Sequence, residues 1–193
     1  MPRQPNHDRD ALIDRARDLF WRQGWAGTSM KDLERTLDMR PGSFYAAFGS
    51  KEALYALALD RYAEDGAARL ATLAEEKGPF AALRAYPALV VACDTAPASA
   101  CMLAKTVLET GAASHALGEK ASDYLARMES RFRDLFAAAQ DAGDVDPTLD
   151  PARLARRYQS DLLGLRVSAE RRDVDAAALA EDIALGLDLL RPR

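Results

Sequence analysis

Thr28-Ser-Met-Lys-Asp-Leu-Glu-Arg-Thr-Leu-Asp-Met-Arg-Pro-Gly-Ser-Phe-Tyr-Ala-Ala-Phe-Gly-Ser-Lys-Glu-Ala-Leu54 is the stretch from which the fold is read. Ser29 can cap a helix, and Asp32 three residues on approximates a capping box, with Asp in place of the usual Glu or Gln. Met30, Leu33 and Leu37 then give one narrow apolar face over about nine residues. Asp38-Met39-Arg40 breaks the pattern. Pro41 suits the first position of a new helix, where its missing N–H is not needed. Phe44 and Phe48, four residues apart, give this short helix a buried side. Gly49-Ser50 ends it, and Ser50 caps a longer helix that opens at Lys51. Two short helices joined by a turn of three to four residues form a helix-turn-helix. A short helix so presented fits a major groove about 12 Å wide while its neighbours rest on the phosphate backbone.

Upstream, Leu12, Ile13, Ala16, Leu19 and Phe20 share one helical face, in a helix running from Asp8 or Asp10 to Gly24. Downstream the chain reads as long helices with short breaks. The fourth helix reaches about Lys77, and the fifth covers Phe80 to Asp94 with an interruption or kink at Pro87. The sixth runs from Ser99 to about Thr110, and the seventh from His115 to Ala142. Asp150-Pro151 opens an eighth that extends to Arg172, and Asp175 caps a ninth through Leu190. Composition agrees. Ala and Leu supply 65 of the 193 residues, whereas Val, Ile and Thr supply 15, which disfavours any sheet-based fold. The expected class is all-α, with an N-terminal three-helix helix-turn-helix domain over residues 1–50 and a C-terminal helical domain over residues 51–193, about nine helices in all.

The net charge of −4 is unevenly placed: residues 1–51 carry +2 and the remainder −6. A basic end on an acidic body suggests a polyanion-binding module joined to a regulatory one. The longest apolar run, Ala53 to Leu59, is far too short to span a bilayer, and the first eight residues lack the apolar core of a secretory signal. Two cysteines form no disulfide framework, so the expected location is the cytoplasm. The two histidines, His7 and His115, form no metal-binding pair, and no glycine pattern cradles a nucleotide. No catalytic residue, metal or cofactor is expected.

The segment Thr28–Leu54, above all Gly42-Ser-Phe-Tyr-Ala-Ala-Phe-Gly-Ser-Lys-Glu-Ala-Leu54, closely resembles the DNA-binding segment of the TetR family of transcriptional regulators. The likeness is strong over residues 8–60 and weaker beyond. Ser99–Glu109 is similar to the family segment that starts the sixth helix, and Leu163–Ala169 to part of its eighth. Asp38, Leu37 and Ala100 depart from the family pattern, Asp38 at a turn position usually held by Gly. The resemblance implies a homodimeric repressor that binds double-stranded operator DNA and is released by a small-molecule inducer. Carried over by position, it makes Arg40, Pro41, Ser43 and Tyr45 the DNA-facing set. Thr28 or Ser29 and Lys51 stand at helix N-termini, where free N–H groups favour a phosphate.

Two further sites are expected. Leu154, Tyr158, Leu162 and Leu165 line one stripe of the eighth helix, and Leu179, Ile183, Leu187 and Leu190 line one of the ninth. Pairing these stripes across a twofold axis makes a four-helix dimer interface, with Gly164 and Gly186 permitting close approach. Helices four to seven enclose an apolar pocket lined by Tyr86, Cys93, Met102, Tyr124, Met128 and Phe132. Cys101, at a helix start with Lys105 one turn on, raises a thiol-based redox or electrophile sensor as an alternative, with Cys93 as its resolving partner. An all-α adaptor without DNA binding is the rival from another class, and a helical enzyme stands third.

Overall fold

The computed structural model of the chain describes residues 6–92, 96–111 and 115–192, with side chains from Arg9 onward. Cys93 lies outside the described residues. Nine helices and no strands are found among these residues: α1 (Asn6–Gly27), α2 (Met30–Leu37), α3 (Pro41–Phe48), α4 (Lys51–Lys77), α5 (Pro79–Val91), α6 (Met102–Thr110), α7 (Ala116–Asp141), α8 (Pro151–Ser168) and α9 (Ala176–Asp188). The all-α reading holds. The chain packs as two compact units, Met1–Asp65 with Met102–Asp123, and Gly66–Cys101 with Tyr124–Arg193.

In the first unit, α1 breaks at Gly24 (φ 78°, ψ 177°) and resumes as far as Gly27, three residues beyond the expected end. Its apolar face is as the periodicity requires: Ile13, Ala16, Leu19 and Phe20 are buried, and Phe20 meets Tyr55 of α4 edge-on with centroids 4.6 Å apart. Ion pairs join α1 to α4, Arg17 to Asp65 at 2.6 Å and Arg61 to Asp10 at 3.2 Å. Tyr55 and Thr106 of α6 share a buried hydroxyl–hydroxyl hydrogen bond of 2.8 Å. Burial, working against that bond, pushes the Tyr55 phenol up to about 12.

In the second unit, α5 runs through Pro87 without interruption and ends at Val91. Proline has no N–H to give the carbonyl four residues back, which here belongs to Leu83. The Tyr158 hydroxyl donates to that carbonyl at 2.7 Å, so the orphaned acceptor is satisfied from α8. Tyr158 is itself buried, its ring edge-on to Phe132 at 4.9 Å and Phe136 at 5.8 Å. Burial raises its phenol well above the ordinary value. Tyr158→Phe is therefore expected to leave a buried carbonyl without a partner and to cost ~1–3 kcal/mol in chemical denaturation. No change in midpoint counts against this account of Pro87.

The same core takes up much of the α8 and α9 stripes. Tyr158, Leu162, Leu165 and Leu187 are buried within the chain's own hydrophobic cluster, whereas Leu154, Leu179, Ile183 and Leu190 pack against it and keep part of their surface exposed. The outward faces carry different residues. Val167, Leu185 and Leu189 are exposed, and a Cβ at Gly164 or Gly186 would meet nothing. Helix α8 also stops at Ser168 and not Arg172: beyond it the Glu170 and Arg171 N–H groups donate only three residues back, to the Val167 and Ser168 carbonyls at 3.2 and 3.0 Å.

The expected pocket residues divide between the units. Tyr86 and Phe132 sit in the second-unit core with ring centroids 5.8 Å apart, and Met128 packs against that core. Tyr124 belongs to the same unit, with the Arg127 guanidinium 5.0 Å above its ring. Met102 is buried in the first unit. Cys101 is buried, and the Lys105 ammonium donates to the Trp21 carbonyl at 2.8 Å.

Candidate nucleic-acid interface

Local chemistry sets the two short helices. The Ser29 hydroxyl accepts from the Asp32 N–H at 3.2 Å, and the Asp32 carboxylate accepts from the Ser29 N–H at 3.1 Å, so the capping box is complete with Asp as its acid. Hydrogen bonds from Ser29, and more weakly the Arg35 charge, hold the Asp32 carboxyl below its ordinary range. Thr28 is buried and its hydroxyl donates to the Gly24 carbonyl at 2.7 Å. Of the pair Thr28 and Ser29, only Ser29 reaches the surface. Arg15 of α1 donates to the Leu37 carbonyl at 3.3 Å, which closes the end of α2.

The turn then runs through Asp38 in the left-handed conformation (φ 53°, ψ 49°), its N–H donating to the Glu34 carbonyl. Asp tolerates this region better than most residues with a Cβ, which explains how it stands at a turn position usually held by Gly. Arg40 precedes α3 with extended backbone and makes no side-chain cap, and Pro41 occupies the first turn. Phe44 and Phe48 face inward, buried, with centroids 5.7 Å apart.

What α3 shows to solvent is therefore the opposite face. Arg40, Pro41, Gly42, Ser43, Tyr45, Ala46 and Ala47 are all exposed, and no acid occurs between Arg40 and Lys51. A Cβ at Gly42 would meet nothing within the chain, so no internal packing demands glycine there. Small side chains flanking Arg40, Ser43 and Tyr45 leave the backbone open to close approach by a groove wall.

Lys51 is placed differently from its expected phosphate-binding position. Its ammonium donates to the Trp25 carbonyl at 2.6 Å and lies 4.1 Å from the centre of the Trp25 ring. Burial lowers its pKa, while the Glu109 carboxylate pulls it back up. The residue braces the end of α1 from the first turn of α4. Sequence reasoning also passed over Glu109, whose carboxylate accepts from the Trp25 and Ala26 N–H groups at 2.6 and 3.1 Å. Nothing in the local pattern of α6 distinguishes that residue from a solvated acid.

Among the described residues, no group of three or more His, Cys, Asp or Glu is placed to hold a metal ion. No helix of these residues is long and apolar enough to cross a membrane.

Comparison with known proteins gives this surface a context. Residues 12–58 match the sequence profile described as bacterial regulatory proteins, tetR family. The chain is 30% identical to the HTH-type transcriptional repressor ComR of Escherichia coli K12 over 167 residues, 84% of this chain and 79% of that protein. It is similar in structure to a cysteine variant of the TetR-family regulator CifR solved in complex with a 26-base-pair operator duplex. That similarity has 29% identity and a TM-score of 0.82, and covers 97% of this chain and 98% of the other. A TetR-family regulator from Agrobacterium tumefaciens, 21% identical, aligns with a TM-score of 0.85 over 98% of this chain and all of its own. With the capped α2, the left-handed turn at Asp38 and the exposed face of α3, these likenesses make the chain a transcriptional regulator of the TetR family.

Proposed function

We propose that the chain is a ligand-responsive repressor that binds operator DNA as a homodimer in the cytoplasm and is released by a small-molecule inducer. The observation that carries the DNA-binding part is the exposed, acid-free face of α3 mounted on buried Phe44 and Phe48. Residues 1–50 form the operator-binding module and residues 51–193 the sensing and dimerising one. Arg40 pairs with a guanine edge or a phosphate, Ser43 and the Tyr45 hydroxyl bind phosphate, and the Pro41–Gly42 backbone lies against the groove. Ser29, exposed at the start of α2, adds a phosphate contact from its own turn. No catalytic role is assigned to any residue.

The dimer face consists of the outward sides of α8 and α9, with Gly164 and Val167 on one helix, Leu185 and Gly186 on the other, and Leu189 just past its end. Arg153 and Arg156 are exposed on α8, and Glu181 and Asp182 on α9, so a twofold partner meets opposite charge as well as apolar surface. An inducer of apolar or aromatic character suits the cluster around Tyr86, Met128 and Phe132. Inducer and operator then compete through two separations of the α3 pair, and release extends only as far as the inducer's affinities for the two states differ.

The test begins with a duplex selected by the wild-type protein from a random-sequence pool. Binding constants across a salt series should fall steeply, as counterion release requires. Arg40→Ala should weaken the selected duplex by ~1–3 kcal/mol where Arg40 reads a guanine, and a scrambled duplex by much less. Equal losses on both duplexes make Arg40 a phosphate contact. No loss on either removes it from the interface, and an adaptor would select no duplex at all.

A further inference from the structure

The break in α1 is gripped by charged side chains from two other helices of the same compact unit. Just ahead of the break at Gly24 stand the carbonyls of Trp21 and Arg22. Lys105 of α6 donates to both, at 2.8 and 3.3 Å. Where the backbone resumes, the Trp25 and Ala26 N–H groups are open, and Glu109 of α6 accepts from both. Lys105 and Glu109 are four residues apart and so lie on one face of α6. Each places its charge where the helix dipole favours it, cation at the carbonyl end and anion at the N–H end. From α4, Lys51 takes the Trp25 carbonyl and covers the Trp25 ring, while the ring's edge contact with Tyr55 has centroids 5.2 Å apart. Glycine is required at the break. Its φ is 78°, and a Cβ there would overlap the Glu109 carboxylate.

These bonds contribute little to stability. The Glu109 pair and one of the two Lys105 bonds are exposed, and exposed ionic contacts return little because water replaces them readily. What they fix is direction. Four residues after Gly24 comes Thr28, whose hydroxyl returns to the Gly24 carbonyl, and Ser29 then caps α2. A small rotation at residues 24–26 swings both short helices.

We propose that Glu109 and Lys105, with Lys51, are positioning residues for DNA binding: they set the angle at which α2 and α3 leave α1, and none of them touches DNA. This rests on the DNA-binding reading above. In the full-length protein, Glu109→Ala and Lys105→Met should each weaken the duplex selected from a random-sequence pool about tenfold, within the usual range for coupling through a fold. The double variant should lose less than the product of the two, because both act on one joint. Glu109→Gln, which keeps one accepting oxygen, should fall between wild type and Glu109→Ala. The salt slope of binding should stay at its wild-type value, since no phosphate contact is removed. The thermal midpoint should hold, and exchange protection should fall at the Trp25 and Ala26 amides. Binding within twofold of wild type for both single variants overturns the proposal. A flattened salt slope overturns it as well, by making the residues phosphate contacts. So does a loss of affinity that tracks a fall in midpoint and disappears on cooling, which is the behaviour of a purely structural role. A wild-type protein that selects no duplex refutes the underlying DNA-binding reading, and the positioning role with it.

Discussion

Leu185→Glu combined with Leu189→Glu is expected to give a folded monomer that has lost tight operator binding, whereas Leu165→Glu alone is expected to give no folded chain. Leu185 is 52% exposed and Leu189 86%, so neither carboxylate disturbs the chain's own core. Leu165 is 1% exposed inside that core, where an unpaired carboxylate costs several kcal/mol, roughly what a whole domain has to spare. If the outward sides of α8 and α9 meet across a twofold axis, each leucine is met by its own interface a second time, and two substitutions place four carboxylates at the contact. A monomer reaches only one half-site. Losing the linked second site should weaken operator binding by about 10²–10⁴-fold, the usual gain from bivalency. Sedimentation velocity, far-ultraviolet circular dichroism and duplex titration together decide the matter. A double variant that remains an unchanged dimer excludes this face, and a folded Leu165→Glu chain contradicts the packing of α8.

The contrast between those leucines marks where the sequence was legible and where it was not. The α2–turn–α3 segment could be read because each local preference pointed the same way: the Ser29–Asp32 box, Asp38 at a left-handed position and Pro41 at a first turn all act over a few residues. Helical periodicity in α8 and α9 was equally plain, yet a stripe such as Leu154, Tyr158, Leu162 and Leu165 is satisfied by any apolar neighbour. Only the tertiary fold shows that α5 and α7 supply it, leaving Gly164, Val167, Leu185, Gly186 and Leu189 facing out. Pro87 allowed a kink or an interruption, and the helix runs on through it for a related reason. A proline signals a break through its missing N–H, but the Tyr158 hydroxyl, 75 positions after the Leu83 carbonyl it meets, supplies the donor. Lys51 stands at a helix N-terminus, as a phosphate ligand would, and the Trp25 carbonyl that occupies its ammonium lies 26 residues earlier. Charges on long side chains are the least legible of all, because their partners are chosen by reach in space.

Neighbouring residues on α3 should respond in opposite ways, and this separates scaffold from contact at the surface on which the function depends. Phe44 has no exposed surface and packs against Phe48. Phe44→Ala is expected to cost ~3–5 kcal/mol in stability, the usual range for emptying an aromatic core position. An eight-residue helix has little independent stability, so α3 should melt first and binding to every duplex, selected or scrambled, should fall together. Tyr45 is 52% exposed, with its ring edge-on to Phe44 at 5.5 Å. Tyr45→Phe keeps that ring contact and removes only the hydroxyl. Its unfolding midpoint should match wild type, while affinity falls by about the ~0.5–1.5 kcal/mol of one hydrogen bond. The loss should be similar for selected and scrambled duplexes, because a phosphate carries no sequence information. Hydrogen exchange along α3 with duplex titration distinguishes the two variants. A stable Phe44→Ala protein with impaired binding would place Phe44 at the DNA, and a destabilised Tyr45→Phe protein would place the hydroxyl inside the fold.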